Sequence, residues 1–259
     1  MQPNNSWKTR IYYTIFIISV FLAVWFFTGD LISLLFPELA GYTRLAIVFG
    51  LEILFCIVAV IIISRKNLPG ATDELGMSAS IPTGLIVSLA ATLPMPVLFS
   101  FTGSLSSEID GMNLLFFSFL SPLEEEIVFR GFAFWMLYKY ARLGFWGSVL
   151  APSIMFGLVH LYQASEMMDA LGIFGITTAG SIWFSWLLMR WENLWVPIFI
   201  HALMNGWWEI FDVDDTALGG YMANIARLLT IGISVVLTVY KVRLQQIAAS
   251  YNLFHKEQP

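Results

Sequence analysis

The feature that most constrains the fold is a succession of apolar stretches, each about as long as a lipid bilayer is thick. A helix of about 20 apolar residues crosses the hydrocarbon core of a bilayer. Runs this long, without alternation of polar and apolar residues, indicate helices and not barrel strands. The sequence therefore predicts an all-α, polytopic membrane bundle of about eight transmembrane helices, at residues 11–28, 45–63, 81–102, 112–138, 146–163, 170–189, 195–211 and 222–240.

Composition supports lipid as the solvent for this chain. Hydrophobic residues make up 58% of the sequence and charged residues only 12%, whereas a soluble domain carries about 25% charged residues. The net charge is −5 and the basic residues are not clustered, which gives no support for nucleic-acid binding. The one cysteine, Cys56, lies in an apolar stretch and is interpreted as a buried small hydrophobic residue.

The basic residues alternate along the chain in a way that predicts the topology. If the first helix begins in the cytoplasm, the outer segments hold only Arg44 and, at a helix edge, Arg227. Cytoplasmic loops of membrane proteins carry an excess of Lys and Arg. We therefore expect one integral membrane domain, residues 1–259, with both termini in the cytoplasm. The residues assigned to the inner side are Lys8, Arg10, Arg65, Lys66, Lys139, Arg142, Arg190, Lys241, Arg243 and Lys256.

Proline residues predict irregularity in two of these helices. The third stretch carries Pro82, Pro94 and Pro96, and a proline inside a helix removes a backbone hydrogen bond and kinks or breaks it. We therefore expect a kink or a break there. The fifth stretch, 146–163, is the weakest span because it is short and carries Pro152.

The fourth stretch contains four charged residues, Glu124, Glu125, Glu126 and Arg130. Ionisable groups inside a membrane span are costly and usually functional. Glu126 and Arg130 are separated by four residues, so they can pair on one helix face. Glu125 projects about 100° away, which lets it face a cavity, and Glu124 points elsewhere again. A Glu–Arg pair alone can equally be a structural link between helices.

Two later stretches each carry a histidine four residues from a second motif residue: His201 precedes Asn205, and His160 follows Phe156. A lone histidine in an apolar helix is more often a hydrogen-bonded packing residue than a catalyst. Polar groups on three spans would nevertheless be buried without partners unless they meet. We therefore expect them to converge. His160 lies near the outer end of its span and His201 nearer the inner side, so convergence requires tilted or bent helices.

Taken in order, Glu125-Glu126-x-x-x-Arg130, Phe156-x-x-x-His160 and His201-x-x-x-Asn205 resemble the three motifs of the type II CAAX prenyl endopeptidase family. That family is also called the Abi or CPBP family of glutamate intramembrane proteases. Gly131 follows the arginine, as in many members. The resemblance covers a motif-bearing core of about residues 112–210, and it implies a membrane hydrolase, a protease of eight helices that cleaves a peptide bond.

The resemblance also implies substrates and a compartment. Eukaryotic members remove the last three residues of prenylated CAAX proteins, and many bacterial relatives are linked to bacteriocin processing, immunity or membrane-bound regulation. This chain looks like the bacterial kind because it is short. We therefore expect a protein of the bacterial plasma membrane whose partners are membrane lipids and a peptide or lipidated-protein substrate, with no nucleic acid.

The resemblance assigns roles to these residues. Glu125 would be the general base that takes a proton from water, and His160 would share that water. Glu126 would pair with Arg130 and fix the helix geometry. His201 and Asn205 would donate hydrogen bonds to the oxyanion. A covalent mechanism is disfavoured, because the chain has no Ser-His-Asp signature.

Three alternatives stay open at this point. If the enzyme depends on a metal, zinc bound by Glu125, His160 and His201 would suit a common ligand set, but a metal-independent mechanism without a cofactor is favoured because it gives Asn205 a role. The chain could instead be a non-catalytic immunity or scaffold protein of the same fold. A transporter that uses the cluster as a proton relay is disfavoured, because no inverted repeat is evident.

Overall fold

The computed structural model describes residues 6–102, 105–107, 109–214 and 216–256. Side chains are described for all of these residues except 102 and 247–256. Within that part of the chain the regular structure is entirely helical, which confirms the predicted all-α class. The elements are α1 (Trp7–Leu35), α2 (Gly41–Ser64), α3 (Leu68–Glu74), α4 (Ile81–Thr92), α5 (Pro94–Thr102), α6 (111–141), α7 (Gly144–Val159), a 3₁₀ turn (Leu161–Gln163), α8 (Met167–Trp191), α9 (Trp195–Ile210) and α10 (Tyr221–Lys256).

The helices form an integral membrane protein. In the described part of the chain, six helical stretches are long and apolar enough to cross a bilayer, and one of them is α4 together with α5. Large apolar side chains face outward, such as Phe101 at 81% exposure and Leu34 at 78%, which suits a surface in contact with lipid. The other two predicted spans are helical as well, as α6 and α9, but α6 carries charges and α9 has only 16 residues. The total of about eight crossings and the cytoplasmic location of both termini stay predictions.

The proline-rich third stretch is broken, as expected. Helix α4 ends at Thr92 and α5 begins at Pro94, because proline at this position cannot continue the backbone ladder. Helix α4 packs closely on α9, and a Cβ placed on Gly84 would lie 2.6 Å from the Cβ of Trp195. This close packing positions the helix that carries His201.

Helix α6 occupies the centre of the bundle and is irregular. It is in contact with α1 and α2, with α7 and α8, and with α9. Three of its segments have π-helical geometry, Phe116–Leu120, Glu126–Phe134 and Leu137–Ala141. Every residue of the middle segment is buried. Such wide turns inside helices are frequent at functional sites, and the sequence pattern did not predict them here.

At the end predicted to face the cytoplasm, called the inner end, the segment 66–80 joins α6 to α9, and we call this segment the inner clamp. Glu74 is 8% exposed and forms ion pairs with Lys139 of α6 and with Lys66, the latter at 2.5 Å. Gly76 accepts a hydrogen bond from the backbone N–H of Leu194 at 3.0 Å. Met77 accepts one from the Trp195 indole at 2.8 Å.

At the opposite, outer end, the segment 216–220 contacts both the turn after α7 and helix α10, and we call this segment the outer strap. The backbone N–H of Ala217 donates to Oε1 of Gln163 at 2.9 Å. The carbonyl of Ala217 accepts from Arg227 at 2.7 Å. The guanidinium of Arg227 also lies over the Trp208 ring at 5.1 Å. Since Gln163 lies three residues after His160, the strap is tied to the turn that ends the His160 helix.

Candidate active site

The centre of the site is a buried charge cluster that joins α6 to α9. Glu126 and Arg130 are fully buried, and Nη1 of Arg130 lies 3.0 Å from Oε1 of Glu126. Nδ1 of His201 donates to the same carboxylate oxygen at 2.8 Å. The predicted pairing of Glu126 with Arg130 is therefore confirmed. Glu126 also fixes the orientation of the His201 ring, a role that the spacing did not reveal.

Aromatic rings surround the guanidinium of Arg130. Its central carbon lies 4.0 Å from the Phe156 ring centroid and 5.4 Å from that of Phe184. The nitrogen atoms of Arg130 make no aligned hydrogen bond with the described part of the chain, so cation–π attraction contributes to holding the charge there. Phe184 of α8 also packs against the His201 ring at 5.4 Å. Sequence reasoning missed Phe184, because no motif or spacing distinguishes it from other apolar residues of α8.

Glu125 points in a different direction from Glu126, as the helical geometry predicts. The hydroxyl of Ser121 donates to Oε1 of Glu125 at 2.9 Å. Oε2 is buried, lacks a hydrogen-bond partner in the described chain, and lies 3.9 Å from Nε2 of His201. A separation of this size is too long for a direct hydrogen bond, so Oε2 of Glu125 is available to another partner.

His160 joins the cluster from the end of α7. Its Nδ1 lies 2.7 Å from the backbone oxygen of Phe156. A carbonyl oxygen can only accept, so Nδ1 carries the proton in the neutral ring and Nε2 keeps a free lone pair. The Phe156 ring lies 4.4 Å from the His160 ring and 6.4 Å from the His201 ring. His160 also interacts electrostatically with Glu125 and His201. The predicted convergence of the three helices is therefore observed.

Asn205 lies apart from the charge cluster, one helical turn beyond His201. Its side-chain amide donates to the backbone oxygen of Phe117 at 3.2 Å. The acceptor lies in the first π-helical segment of α6. The structure therefore brings Glu125, Glu126, Arg130, His160 and His201 together. It gives Asn205 a contact that ties α9 to α6.

A second acidic pair lies beside Glu125. Glu124 is 1% exposed and Glu52 of α2 is 5% exposed, and their carboxyl groups lie close enough to interact electrostatically. The interaction links α2 to the segment of α6 that carries Glu125. One indication of this pairing is present in the sequence, an acidic residue inside each of two apolar stretches, Glu52 in the second and Glu124 in the fourth.

The metal alternative requires three donor side chains that converge on one point. Among the residues that the structure describes, no group of three or more His, Cys, Asp or Glu side chains is arranged to hold a metal ion. Glu125, His160 and His201 are therefore not within such a group among the described residues.

Comparison with known proteins agrees with the motif resemblance. Residues 108–207 match the family model described as type II CAAX prenyl endopeptidase Rce1-like, which confirms the predicted resemblance over the range that holds every predicted site residue. A Bacillus subtilis (strain 168) protein named "Putative membrane peptidase YdiL" is 34% identical over 97 residues. That match covers 38% of this chain and 36% of the relative's length. No solved structure matches the chain.

Proposed function

We propose that this chain is an intramembrane endopeptidase in which Glu125 activates a water for attack on a peptide bond. The observation that carries the proposal is the buried Oε2 of Glu125, which has no hydrogen-bond partner in the described chain and lies 3.9 Å from Nε2 of His201. It lies in a buried cluster that also includes His160 and the Glu126–Arg130 ion pair. The substrate would be a peptide, or a possibly lipidated protein cut near its C-terminus. The match to the Rce1-like model over residues 108–207 supports this class of reaction.

The first step would be activation of the water. The Glu125 carboxylate takes one proton from the water, while Nε2 of His160 accepts the other hydrogen in a hydrogen bond. This role suits His160 because its Nδ1 is already committed to the Phe156 carbonyl. The water oxygen attacks the carbonyl carbon, and a tetrahedral intermediate with a negatively charged oxygen forms. Glu125 then returns its proton to the leaving amine nitrogen as the C–N bond breaks.

His201 would stabilise the oxyanion in its protonated form. In that form both ring nitrogens donate hydrogen bonds, so Nδ1 holds Glu126 while the N–H at Nε2 faces the side where the oxyanion develops. The charges of the cluster then balance, with two carboxylates, Glu125 and Glu126, and two cations, Arg130 and His201. Charges are tolerated in a buried site when they are paired in this way. Asn205 already donates to Phe117, so its part in the oxyanion site would use its second amide hydrogen.

The test is cleavage of prenylated CAAX peptides and leader peptides by the purified protein in lipid nanodiscs. We expect Glu125→Gln and His160→Ala each to reduce kcat by at least about 100-fold, the usual contribution of a general base. The matched control is Glu124→Gln, an equally isosteric change at the adjacent buried acid, which should retain cleavage.

The outcomes separate the alternatives. Cleavage that survives a chelator but is lost in Glu125→Gln supports a metal-free glutamate peptidase. Cleavage that the chelator abolishes, and that added zinc restores, would instead assign Glu125, His160 and His201 to a metallopeptidase. If the wild-type protein cleaves no peptide in either panel, the non-catalytic immunity or scaffold interpretation is favoured.

A further inference from the structure

Phe184 of α8 lies beside both of the basic side chains that bind Glu126. The central carbon of the Arg130 guanidinium lies over the Phe184 ring, 5.4 Å from its centroid. The centroid of the His201 ring is also 5.4 Å from that of Phe184, and the two ring planes are inclined by 32°. Both distances fall within about 6 Å, the range in which the negative face of an aromatic ring attracts a cation. Because Phe184 is 5% exposed, little water is present to weaken that attraction.

The two cations need such a partner because they share one carboxylate oxygen. Oε1 of Glu126 lies 3.0 Å from Nη1 of Arg130 and 2.8 Å from Nδ1 of His201. When His201 is protonated, two positive charges therefore lie close together and repel each other. The Phe156 ring is closer to Arg130, at 4.0 Å, but its centroid is 6.4 Å from that of His201. Among the described rings around Arg130, Phe184 is thus the one best placed to attract both cations.

The Phe184 ring is itself held from outside the site. The neighbouring Trp183 stacks on it, with centroids 4.6 Å apart and planes inclined by 28°. The indole N–H of Trp183 donates to the hydroxyl oxygen of Ser234 in α10 at 3.1 Å. Ser234 is fully buried, and its own hydroxyl donates to the carbonyl of Ile231 at 2.7 Å. Helix α10 carries no motif residue, yet this chain of contacts connects it to the charge cluster.

We propose that Phe184 is a positioning residue, whose ring face holds Arg130 and the protonated His201 in place around Glu126, and that the contact of Trp183 with Ser234 holds the ring. The part that concerns His201 rests on the proposed function, in which the protonated ring stabilises the oxyanion. The part that concerns Arg130 does not, because a guanidinium is charged in the resting protein.

A purely structural role for Phe184 makes a different prediction. Phe184 belongs to a buried apolar cluster that includes Ala91 of α4 and Ile200 of α9. If the ring only fills space in this cluster, its size matters and its charge distribution does not. Attraction to cations depends instead on the electron density at the ring face. The two roles are therefore separated by a change that withdraws electron density from the ring and nearly keeps its shape.

The experiment replaces Phe184 with phenylalanines that carry one, two or three ring fluorine atoms, in the full chain in lipid nanodiscs. Each fluorine weakens the negative ring face. The matched control is the same series at Phe132 of α6, which is fully buried in the main apolar core and, within the described chain, has no cation over its ring. We expect Tm to fall stepwise with each fluorine at Phe184, because the attraction to Arg130 is lost. The Phe132 series should keep the Tm of the wild type.

The activity arm uses the same proteins on a cleaved peptide. Three fluorines at Phe184 should lower kcat about tenfold, the effect of losing one desolvated cation–π contact, with smaller losses for one and two. KM should not change, since the oxyanion that His201 stabilises forms only during the reaction. Ser234→Ala, which removes the acceptor of the Trp183 N–H, should lower kcat by less than the three fluorines do. The Phe132 series should keep kcat.

The two arms distinguish failure of the inference from failure of the proposed function. A constant Tm along the Phe184 series, or an equal fall along the Phe132 series, would overturn the role of the ring face. A stepwise fall in Tm with constant kcat would overturn the positioning of His201, and an unchanged kcat in Ser234→Ala would overturn the role of Trp183. If even the wild-type protein cleaves no peptide, a stepwise Tm at Phe184 still supports the contact with Arg130, and the peptidase proposal fails separately.

Discussion

The two ends of the bundle are closed by different chemistry. At the inner end, the carboxylate of Glu74 is paired with the ammonium groups of Lys66 and Lys139. At the outer end, the strap is tied through the backbone of Ala217, with neutral Gln163 on one side and Arg227 on the other. The inner contacts depend on ionisation of an acid and lie far along α6 from Glu125. The outer contacts to Ala217 involve no carboxyl group and adjoin the turn after His160.

This difference suggests a division of roles between the ends. The inner clamp joins the helix that bears Glu125 and Glu126 to the helix that bears His201, so its contacts stabilise the bundle as a whole. The outer strap restrains the one catalytic candidate that lies at a helix terminus, His160. Changes to the clamp should therefore alter stability more than turnover, and changes to the strap should alter turnover more than stability.

The largest effect is expected from Glu74→Gln in the inner clamp. The substitution keeps the shape of the side chain and removes the charge that both lysines contact. We expect a loss of about 1–2 kcal/mol in the free energy of unfolding, the usual contribution of charge-assisted hydrogen bonds, measured by thermal unfolding in nanodiscs. Asp73→Asn, an isosteric change at the neighbouring exposed acid, is the control. A fall in kcat without a fall in Tm would contradict the division of roles.

The same group predicts how stability depends on pH. Burial raises the pKa of Glu74, but hydrogen bonds from Lys139 and Lys66 outweigh it, and the net pKa lies below the ordinary value of 4.5. A lowered pKa means that the contribution of the ion pairs is fully present above 4.5 and is lost as the pH falls through the lowered value. We therefore expect wild-type Tm to fall on acidification below that range, and to fall less in Glu74→Gln. Equal acid sensitivity of both proteins would exclude Glu74 as the titrating group.

Much of the helical framework could be predicted from the sequence, because lipid imposes length and apolarity on each span. The third stretch is interrupted between Thr92 and Pro94, because proline has no backbone N–H to continue the helical hydrogen bonds. The Glu126–Arg130 pair also followed from local geometry, since residues four apart share a helix face. The convergence of His160 with His201 could be expected only from the cost of burying unpaired polar groups.

The rest depended on contacts between helices, which spacing along one helix does not encode. The π-helical segment Glu126–Phe134 widens α6 at the site, and no residue pattern signals it. Phe184 stacks on His201 only because α8 packs beside α9. Glu52 meets Glu124 across α2 and α6. Asn205 donates to a backbone carbonyl, an acceptor that every residue offers, so its partner could not be identified from the sequence.

The smallest effect, and the sharpest test of the comparison, is expected from Gln163→Leu at the outer strap. The change removes the side-chain oxygen that accepts the hydrogen bond from the Ala217 N–H. Gln163 is in the turn that follows His160, and its backbone N–H donates to the His160 carbonyl at 3.1 Å. Without the contact to Ala217, this turn is no longer held by the strap. The loss of this one neutral hydrogen bond should lower kcat by a few fold, with KM unchanged and with a smaller fall in Tm than Glu74→Gln causes. Gln163→Glu keeps an acceptor oxygen and should restore kcat. Two outcomes would contradict this prediction: an equal loss of kcat in Gln163→Glu and Gln163→Leu, or a fall in Tm with kcat kept. Either would mean that the strap stabilises the fold and does not position His160. The two ends of the bundle would then have the same role.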